Sequence, residues 1–245
     1  MEQPYQQLSF ADVEYANKGK VTRREKFLDQ LENLLPWPVM LSVIEPHYAS
    51  GQGRGRKPFP LIAMLHVHVA QIVYNYSDPG MEDALYEIES LRRFCGIRLE
   101  AVPDESTILQ FRHLLEAHEL TEQIFNAINQ TLADRGLFLK AGTIVDASLI
   151  AAPTSTKNQS QSRDPEMHSS KKGNQWFFGS KFHIGVDHAT GLVHTLKVTA
   201  GNISDVSEAA QLLHGDEQFV HGDAGYQGLE KRPEMPTENP PTCVI

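Results

Sequence analysis

The change of hydrophobic period near Gly142 limits the folds this chain can adopt more than any other feature of its sequence. Up to about residue 140, apolar residues recur at helical spacing, as Ile108, Phe111, Leu114 and Leu115 do. From Gly142 onward, β-branched and alternating segments replace that pattern. A single change of this kind predicts an α+β or α/β chain, with a helical domain first and a sheet after it.

Helical spacing divides the first part of the chain into short segments separated by turns. A loosely amphipathic stretch within residues 1–50 is broken at Pro36 and Pro38, and four helices are predicted at about 60–76, 80–92, 104–118 and 120–136. Asp104 or Ser106 is placed to cap the third of these four helices. Short helices joined by tight turns fit a helix-turn-helix-like unit, and they fit any other small helical bundle as well.

Strand patterns organise the second part of the chain. The segment GTIVDASLI predicts a buried strand whose β-branched run ends at Asp146, and residues 152–175 predict a polar loop or insertion. The segment KFHIGVDHATGLVHTLKVT then predicts a hairpin. Asp205 and Glu208 predict a capping box for a helix through Leu213, and a short strand then leads to a glycine-rich corner with Asp223 at its tip.

Asp146 and Asp223 are the candidate catalytic residues and the candidate metal ligands. The order strand, insertion, hairpin, helix, strand is that of a ribonuclease H-like core, a known fold in which the first and last of these strands are neighbours. Carboxylates on neighbouring strands offer hard oxygen ligands at a fixed spacing, which two-metal phosphodiester chemistry requires. On spacing alone, the alternative is that Asp146 caps a loop and Asp223 belongs to an ordinary Asp-Ala-Gly turn.

Positive charge is concentrated locally, although the whole chain is acidic. The net charge of −9 argues against a nucleic-acid partner unless lysines and arginines cluster somewhere. Each such residue is either a phosphate contact or a solvated loop charge. The candidate DNA-binding residues are Arg54, Arg56 and Lys57 in a Gly/Pro-rich connector, and Lys171, Lys172 and Lys181 around the insertion.

Other residues of the predicted hairpin region also have two interpretations. Lys181 and His183 share a strand face, and they either approach substrate phosphates or belong to an ordinary sheet surface. Trp176, Phe177 and Phe178 either stack on a flipped base or pack in the core, and core packing is the expected role.

Several classes of protein are excluded by composition. Two cysteines without CxxC spacing argue against a zinc site or a disulfide framework and fit a reducing cytosol. The N-terminus lacks the basic and apolar regions of a signal peptide, and the apolar stretch from Leu61 to Tyr74 is too short to span a bilayer. We therefore expect a cytoplasmic protein with no membrane partner.

Several ordered motifs resemble bacterial insertion-sequence transposases of the DDE type. VDASLI, WFFGSKFHIGVD, TAGNISDVSEAAQLL and HGDAGYQG resemble the catalytic region of the branch named after insertion sequence five. The connector, PLIAMLHVHVAQIVYNYSD and PDESTILQFRHLLE resemble the helical domain ahead of it. The resemblance covers about residues 45–232 and implies an N-terminal helical DNA-binding domain at 1–140, a partial ribonuclease H-like DDE catalytic domain at 141–232 and an atypical Pro-rich tail at 233–245.

The resemblance implies a DNA transposase that cleaves DNA and transfers strands at the terminal inverted repeats of an insertion sequence. Asp146 and Asp223 correspond to metal ligands for Mg²⁺ or Mn²⁺, and Tyr226 corresponds to the accompanying tyrosine of the D-x-x-Y segment. The implied partners are double-stranded DNA, at the inverted repeats and at the target, and a second copy of the chain in a homodimer. The implied location is the bacterial cytoplasm, at the nucleoid.

The sequence departs from the family pattern after Lys231. The family's third metal ligand is a glutamate in a Tyr-Arg-Glu-type segment, whereas RPEMPTENPPTCVI contains four prolines that exclude a helix. We therefore expect an incomplete core, a C-terminally truncated chain and weak or absent strand transfer. Three alternatives are a DNA-binding regulator of transposition without catalysis, a nuclease that does not join DNA ends, and a decayed product that does not fold.

Overall fold

Helices occupy the first part of the chain and strands the second, as the change of hydrophobic period predicts. The computed structural model describes residues 13–15, 17–49, 51, 57–138, 141–154, 156–157 and 162–245. The chain divides into two units, Met1–Thr131 and Leu132–Ile245, and each contains its own buried apolar clusters. The predicted α+β class is confirmed.

The first unit consists of helices joined by short connections. Side chains of Thr22, Ser77 and Asp104 cap three of these helices by accepting a backbone N–H of the first turn. The predicted helix at 80–92 is wrong in one respect, because extended backbone at Ile88 divides it into two. The helices are α1 (Arg23–Leu34), α2 (Trp37–Ile44), α3 (Leu61–Tyr74), α4 (Asp78–Glu87), α5 (Glu89–Cys95), α6 (Glu105–Ala117) and α7 (Leu120–Asp134), with 3₁₀ turns at Glu45–His47 and Leu99–Ala101.

Helix α3 is buried on more than one face. This burial explains why its sequence is largely apolar, since apolar surface removed from water is the main source of stability. In the part of the chain that the structure describes, no helix is long and apolar enough to cross a membrane. The buried residues of α3 belong to two clusters, with Ala63, Val67 and Ala70 in one and Met64, Leu65 and Val69 in the other.

The second unit is built on a mixed sheet. Strand β3 pairs antiparallel with β1, β2 and β4, whereas β5 pairs parallel with β1 and with β6. This topology is consistent with the predicted ribonuclease H-like core. Among the residues described, the sheet has six strands: β1 (Gly142–Ala151), β2 (His168–Lys172), β3 (Gln175–Asp187), β4 (Val193–Ala200), β5 (Phe219–His221) and β6 (Thr242–Val244).

The insertion after the first strand is more regular than predicted. Strand β1 covers the segment GTIVDASLI, as predicted, and Asp146 lies within it. Part of residues 152–175, predicted as a loop, forms β2, which pairs with the beginning of β3. Strand β3 is long enough to supply hydrogen-bond partners to β1 and also to β2, whose own sequence is polar.

The proline-rich tail also contributes to the sheet. Its four prolines exclude an α-helix, as predicted, but Thr242–Val244 forms β6 at the edge of the sheet beyond β5. Cys243 is the partner of Val220 in this parallel pair. The tail therefore adds a strand to a core that was expected to be incomplete, because a three-residue segment after the last proline pairs with β5.

Short helical turns cover one face of the sheet. They are α8 (Asp205–Glu208) and 3₁₀ turns at Ala209–Leu212, Ala224–Tyr226 and Leu229–Lys231. The predicted capping box in α8 does not form, because Ser204 is the N-cap and makes no side-chain hydrogen bond there. The core that these turns cover contains Val145, Leu212, Val220, Tyr226 and Leu229.

A buried carboxylate holds β5 in register with β1. Glu217 precedes β5, is 7% exposed, and accepts a hydrogen bond from the Thr143 hydroxyl at 3.0 Å. It also accepts the backbone N–H groups of His214 and Gly215 at 2.6 and 2.8 Å. These three donors compensate for the burial of the charge. They also join the start of β1 to the segment that enters β5.

Candidate active site

The parallel pairing of β1 and β5 brings Asp146 and Asp223 to the same level of the sheet. Ile144 and His221 are Cα partners in that pair. Asp146 lies two residues after Ile144, and Asp223 lies two residues after His221. Because adjacent strands are about 4.8 Å apart, equal steps beyond a paired position leave the two aspartates side by side. Both side chains are exposed.

Each aspartate uses one carboxylate oxygen in a local hydrogen bond. Asp146 Oδ1 accepts the backbone N–H of Ala147 at 2.8 Å, and Asp223 Oδ1 accepts that of Gly225 at 2.8 Å. Asp223 therefore belongs to an Asp-Ala-Gly turn, as the alternative interpretation of the sequence proposed, and caps the 3₁₀ turn that follows. Among the described residues, the second oxygen of each carboxylate has no hydrogen-bond partner, so these oxygens can face a cation.

Tyr226 lies beside the two aspartates with a buried hydroxyl. The residue is 1% exposed, and its hydroxyl has no hydrogen-bond partner among the described residues. A Cβ atom at Gly222 would lie 3.0 Å from the ring, so glycine at this position allows the ring to approach the backbone before Asp223. Burial raises the pKa of Tyr226, and the charges of Asp205, Asp146 and Asp223 raise it further. The hydroxyl therefore stays protonated near three carboxylates.

The third of these carboxylates, Asp205, was not predicted to be part of the site. Its position in TAGNISDVSEAAQLL was the available signal, but helix capping explained the residue adequately. In the structure Asp205 Oδ1 accepts a hydrogen bond from Lys181 Nζ of β3 at 2.7 Å. This contact joins residues 24 positions apart in sequence, which local patterns do not reveal.

The residues present fit a divalent cation at Asp146 and Asp223. Carboxylate oxygens are the ligands that Mg²⁺ prefers, and Mg²⁺ in proteins is often held by one or two carboxylates while it keeps several waters. In the described ranges, no group of three or more His, Cys, Asp or Glu side chains is positioned to hold a metal ion.

Two protein families match the chain, one for each of its parts. The family described as Transposase domain (DUF772) matches residues 16–114, and the family described as Transposase DDE domain matches residues 138–239. The chain belongs to the DDE-type transposases. DDE transposase domains generally use divalent metal ions and act on DNA, which agrees with two exposed carboxylates at corresponding positions of β1 and of the segment after β5. No solved structure matches the chain.

The predicted DNA-binding residues of this transposase lie in different environments. Arg54 and Arg56 are outside the described residues, and Lys57 is exposed. Lys171 is exposed near the end of β2, and Lys172 follows it in the same strand. Lys181 differs from them, because its side chain is 13% exposed and its ammonium donates to Asp205 and to the Ile203 carbonyl. A phosphate contact at Lys181 therefore requires these internal bonds to break.

Two expectations about β3 are wrong. Trp176 is 71% exposed and does not pack in the core, whereas Phe178 does. The reason is position: Trp176 lies beside the turn of the β2–β3 hairpin, opposite Lys171, beyond the part of β3 that covers the core. His183 is fully buried and is not on a DNA-facing surface; its Nε2 lies 2.9 Å from Thr199 Oγ1, and burial lowers its pKa.

The unpartnered hydroxyl of Tyr226 has a measurable consequence for stability. Replacing Tyr226 with Phe removes a buried polar group that gains no hydrogen bond, so we expect the metal-free protein to be stabilised by about 1 kcal/mol. Tyr48 is the matched control, because its hydroxyl donates to the Phe59 carbonyl at 2.8 Å. Tyr48→Phe should lose about 1 kcal/mol. The measurement is urea unfolding in EDTA, and an equal loss in both variants would contradict the assignment of the Tyr226 hydroxyl.

Proposed function

We propose that this chain catalyses metal-dependent DNA cleavage and strand transfer at the terminal inverted repeats of an insertion sequence of the branch named after insertion sequence five. Asp146 and Asp223 are the proposed catalytic residues and metal ligands, with Mg²⁺ or Mn²⁺ as the ion. The observation that carries the proposal is the register of β1 and β5, which leaves two exposed carboxylates level with each other. The DDE-type family supports the same chemistry.

The chemistry divides between the ion and the residues that fix it. When bound, a divalent ion lowers the pKa of the attacking water or 3′-hydroxyl and stabilises the departing 3′-oxygen. Asp146 is held by the antiparallel pairing of β1 with β3, and Asp223 by the turn that it caps. Backbone held on both sides fixes ligand spacing, and a preorganised site loses little free energy to rearrangement during the reaction.

DNA contacts are proposed for both parts of the chain. We assign DNA recognition to the helical residues 1–140, with Arg54, Arg56 and Lys57, and catalysis to residues 141–232, with a short Pro-rich tail at 233–245. The β2–β3 hairpin supports a contact near the catalytic residues, because exposed Lys171 and Trp176 are cross-strand neighbours near its turn. The proposed assembly is a homodimer on the paired element ends, in the bacterial cytoplasm at the nucleoid.

DNA cleavage by the purified chain tests the proposed chemistry. With labelled duplexes that carry the ends of the encoding element, Mn²⁺ should support nicking, and Asp146→Asn or Asp223→Asn should reduce it by at least about 100-fold. Asp216→Asn is the control, because this exposed aspartate lies before β5, at the strand end opposite Asp223. Equal nicking by the wild type and both aspartate variants would overturn the assignment.

A second candidate function is a DNA-binding regulator of transposition without catalysis. It is favoured by one observation: among the described residues, no group of three or more His, Cys, Asp or Glu side chains is positioned to hold a metal ion. For the same reason we expect joining of DNA ends by this chain alone to be weak. Retarded migration of inverted-repeat DNA without any nicking in Mn²⁺ would favour the regulator, whereas nicking without joining would favour the nuclease.

The hairpin contact gives a separate prediction about DNA affinity. Trp176→Ala should weaken binding to duplexes with an unpaired end by about 1–3 kcal/mol, because an exposed indole can stack on an unpaired base. Lys171→Ala should reduce the slope of log affinity against log salt concentration by about one. This is the change expected when one phosphate contact, and the release of one counterion, is lost. Lys231→Ala is the control, because its side chain is 83% exposed and lies far from the hairpin in sequence.

Fluorescence anisotropy over a range of salt concentrations measures these effects. The protein has two tryptophans, and Trp37 is 7% exposed, so quenching of the exposed Trp176 by DNA provides an independent signal. Unchanged affinity in Trp176→Ala, together with an unchanged salt slope in Lys171→Ala, would contradict DNA contact by this hairpin.

A further inference from the structure

The side chain of Asp205 does not cap the helix in which it lies. The N-cap of α8 is Ser204, and the predicted capping box with Glu208 is absent. The Asp205 carboxylate instead lies beside Asp223: a Cβ atom built on Gly225 would be 2.9 Å from Asp223 Oδ1 and 3.7 Å from Asp205 Oδ2. Glycine at position 225 therefore leaves the space between these two carboxylates open.

A buried donor without a partner lies next to the same carboxylates. Tyr226 is 1% exposed, and its hydroxyl makes no hydrogen bond within the described part of the protein. Burying such a group costs free energy unless something accepts its proton. The charges of Asp205, Asp146 and Asp223 all act on this hydroxyl. The hydroxyl is therefore an unsatisfied buried donor that lies within the electrostatic field of these carboxylates.

Lys181 balances the charge of Asp205. Its ammonium lies 2.7 Å from Asp205 Oδ1, and the side chains of Lys181 and Asp205 are 13% and 32% exposed. Lys181 is in turn held by the Ile203 carbonyl at 2.7 Å. Without this cation, three negative charges would lie close together with no compensation, which is unfavourable at low effective dielectric.

We propose that Asp205 is a third carboxylate of the cation site, acting through the water shell of an ion held by Asp146 and Asp223, with Lys181 as its counter-ion. This inference rests on the proposed function, because it assumes that Asp146 and Asp223 hold the ion. Asp205 is a positioning residue, since it acts on water around the ion and does not coordinate it. The absence of a ready three-ligand group among the described residues agrees with an outer position for this carboxylate.

The chemistry of Mg²⁺ makes an outer carboxylate effective. The ion gives up its waters reluctantly and is often held by only one or two protein carboxylates. The remaining waters donate hydrogen bonds, and carboxylates that accept them contribute affinity without touching the ion. Asp205 thus supplies a further negative charge beside the two proposed ligands, Asp146 and Asp223.

Mn²⁺ binding to the full chain, followed by electron paramagnetic resonance of the free ion, tests the inference without DNA. Asp205→Asn should weaken Mn²⁺ binding by about tenfold, the lower range for loss of an outer partner. Asp205→Glu, which keeps the charge, should recover part of this loss. Lys181→Met should tighten binding by roughly threefold, because it removes a nearby positive charge. The double variant Lys181→Met/Asp205→Asn should also bind Mn²⁺ more tightly than Asp205→Asn, because there the removed positive charge has no carboxylate partner.

Glu208 and Lys197 provide a matched control pair. Glu208 lies in the same short helix and accepts from Lys197 of β4 at 2.5 Å, yet no Glu208 atom is among those nearest to the space between Asp223 and Asp205. Glu208→Gln and Lys197→Met should therefore leave Mn²⁺ affinity unchanged, although each breaks an equivalent ion pair. If Asp205→Asn does not fold, as judged by thermal unfolding, Lys181→Met still decides the question.

The outcomes separate this inference from the proposed function. Loss of Mn²⁺ affinity in Asp205→Asn but not in Glu208→Gln supports an outer carboxylate. Wild-type affinity in Asp205→Asn, or no tightening in Lys181→Met, overturns it, while loss of binding in Asp146→Asn and Asp223→Asn would leave the proposed function intact. Unchanged affinity in those two asparagine variants would instead overturn the metal site itself, and the role of Asp205 with it.

Discussion

The parallel pairing of β1 with β5 is the interaction on which the candidate site depends. It is only three residue pairs long, and it is held by the buried carboxylate of Glu217, which joins Thr143 to the segment before β5. A slip of one residue would turn every side chain of β5 to the opposite face and would separate Asp223 from Asp146. Val220 would also leave the core, so packing and the position of the carboxylates specify the same register. The contacts that stabilise the fold therefore also fix the geometry of the candidate site.

The charges at this edge of the sheet form a connected arrangement. The charges of Asp146, Asp205 and Asp223 all raise the pKa of the buried Tyr226 hydroxyl, and Lys181 forms an ion pair with Asp205. Exposed positive charge lies elsewhere, at Lys57 and at the β2–β3 hairpin with Lys171. An acidic chain can therefore bind DNA at separate basic positions while it keeps negative charge where a cation is needed, because affinity for phosphate depends on local charge and not on the net value.

Local patterns predicted much of the fold. The helices, the β3–β4 hairpin and the order of strands follow from period, capping residues and turn residues, with Asp104 as a clear N-cap. The order of elements also identified Asp146 and Asp223, since the known fold pairs their strands. Contacts between distant segments were not predictable in this way. Strand β6, the pairing of polar β2 with β3, the exposure of Trp176 and the Lys181–Asp205 ion pair all depend on which segments meet in three dimensions.

Anomalous scattering from Mn²⁺ in crystals of the chain tests the central claim most directly. The account predicts one main peak between Asp146 and Asp223, with carboxylate oxygens at about 2.0–2.6 Å from the ion. It also predicts that Asp205 lies in the next layer, without direct contact with the ion. A crystal that binds Mn²⁺ only at other residues, while both aspartates are ordered and accessible, would contradict the account.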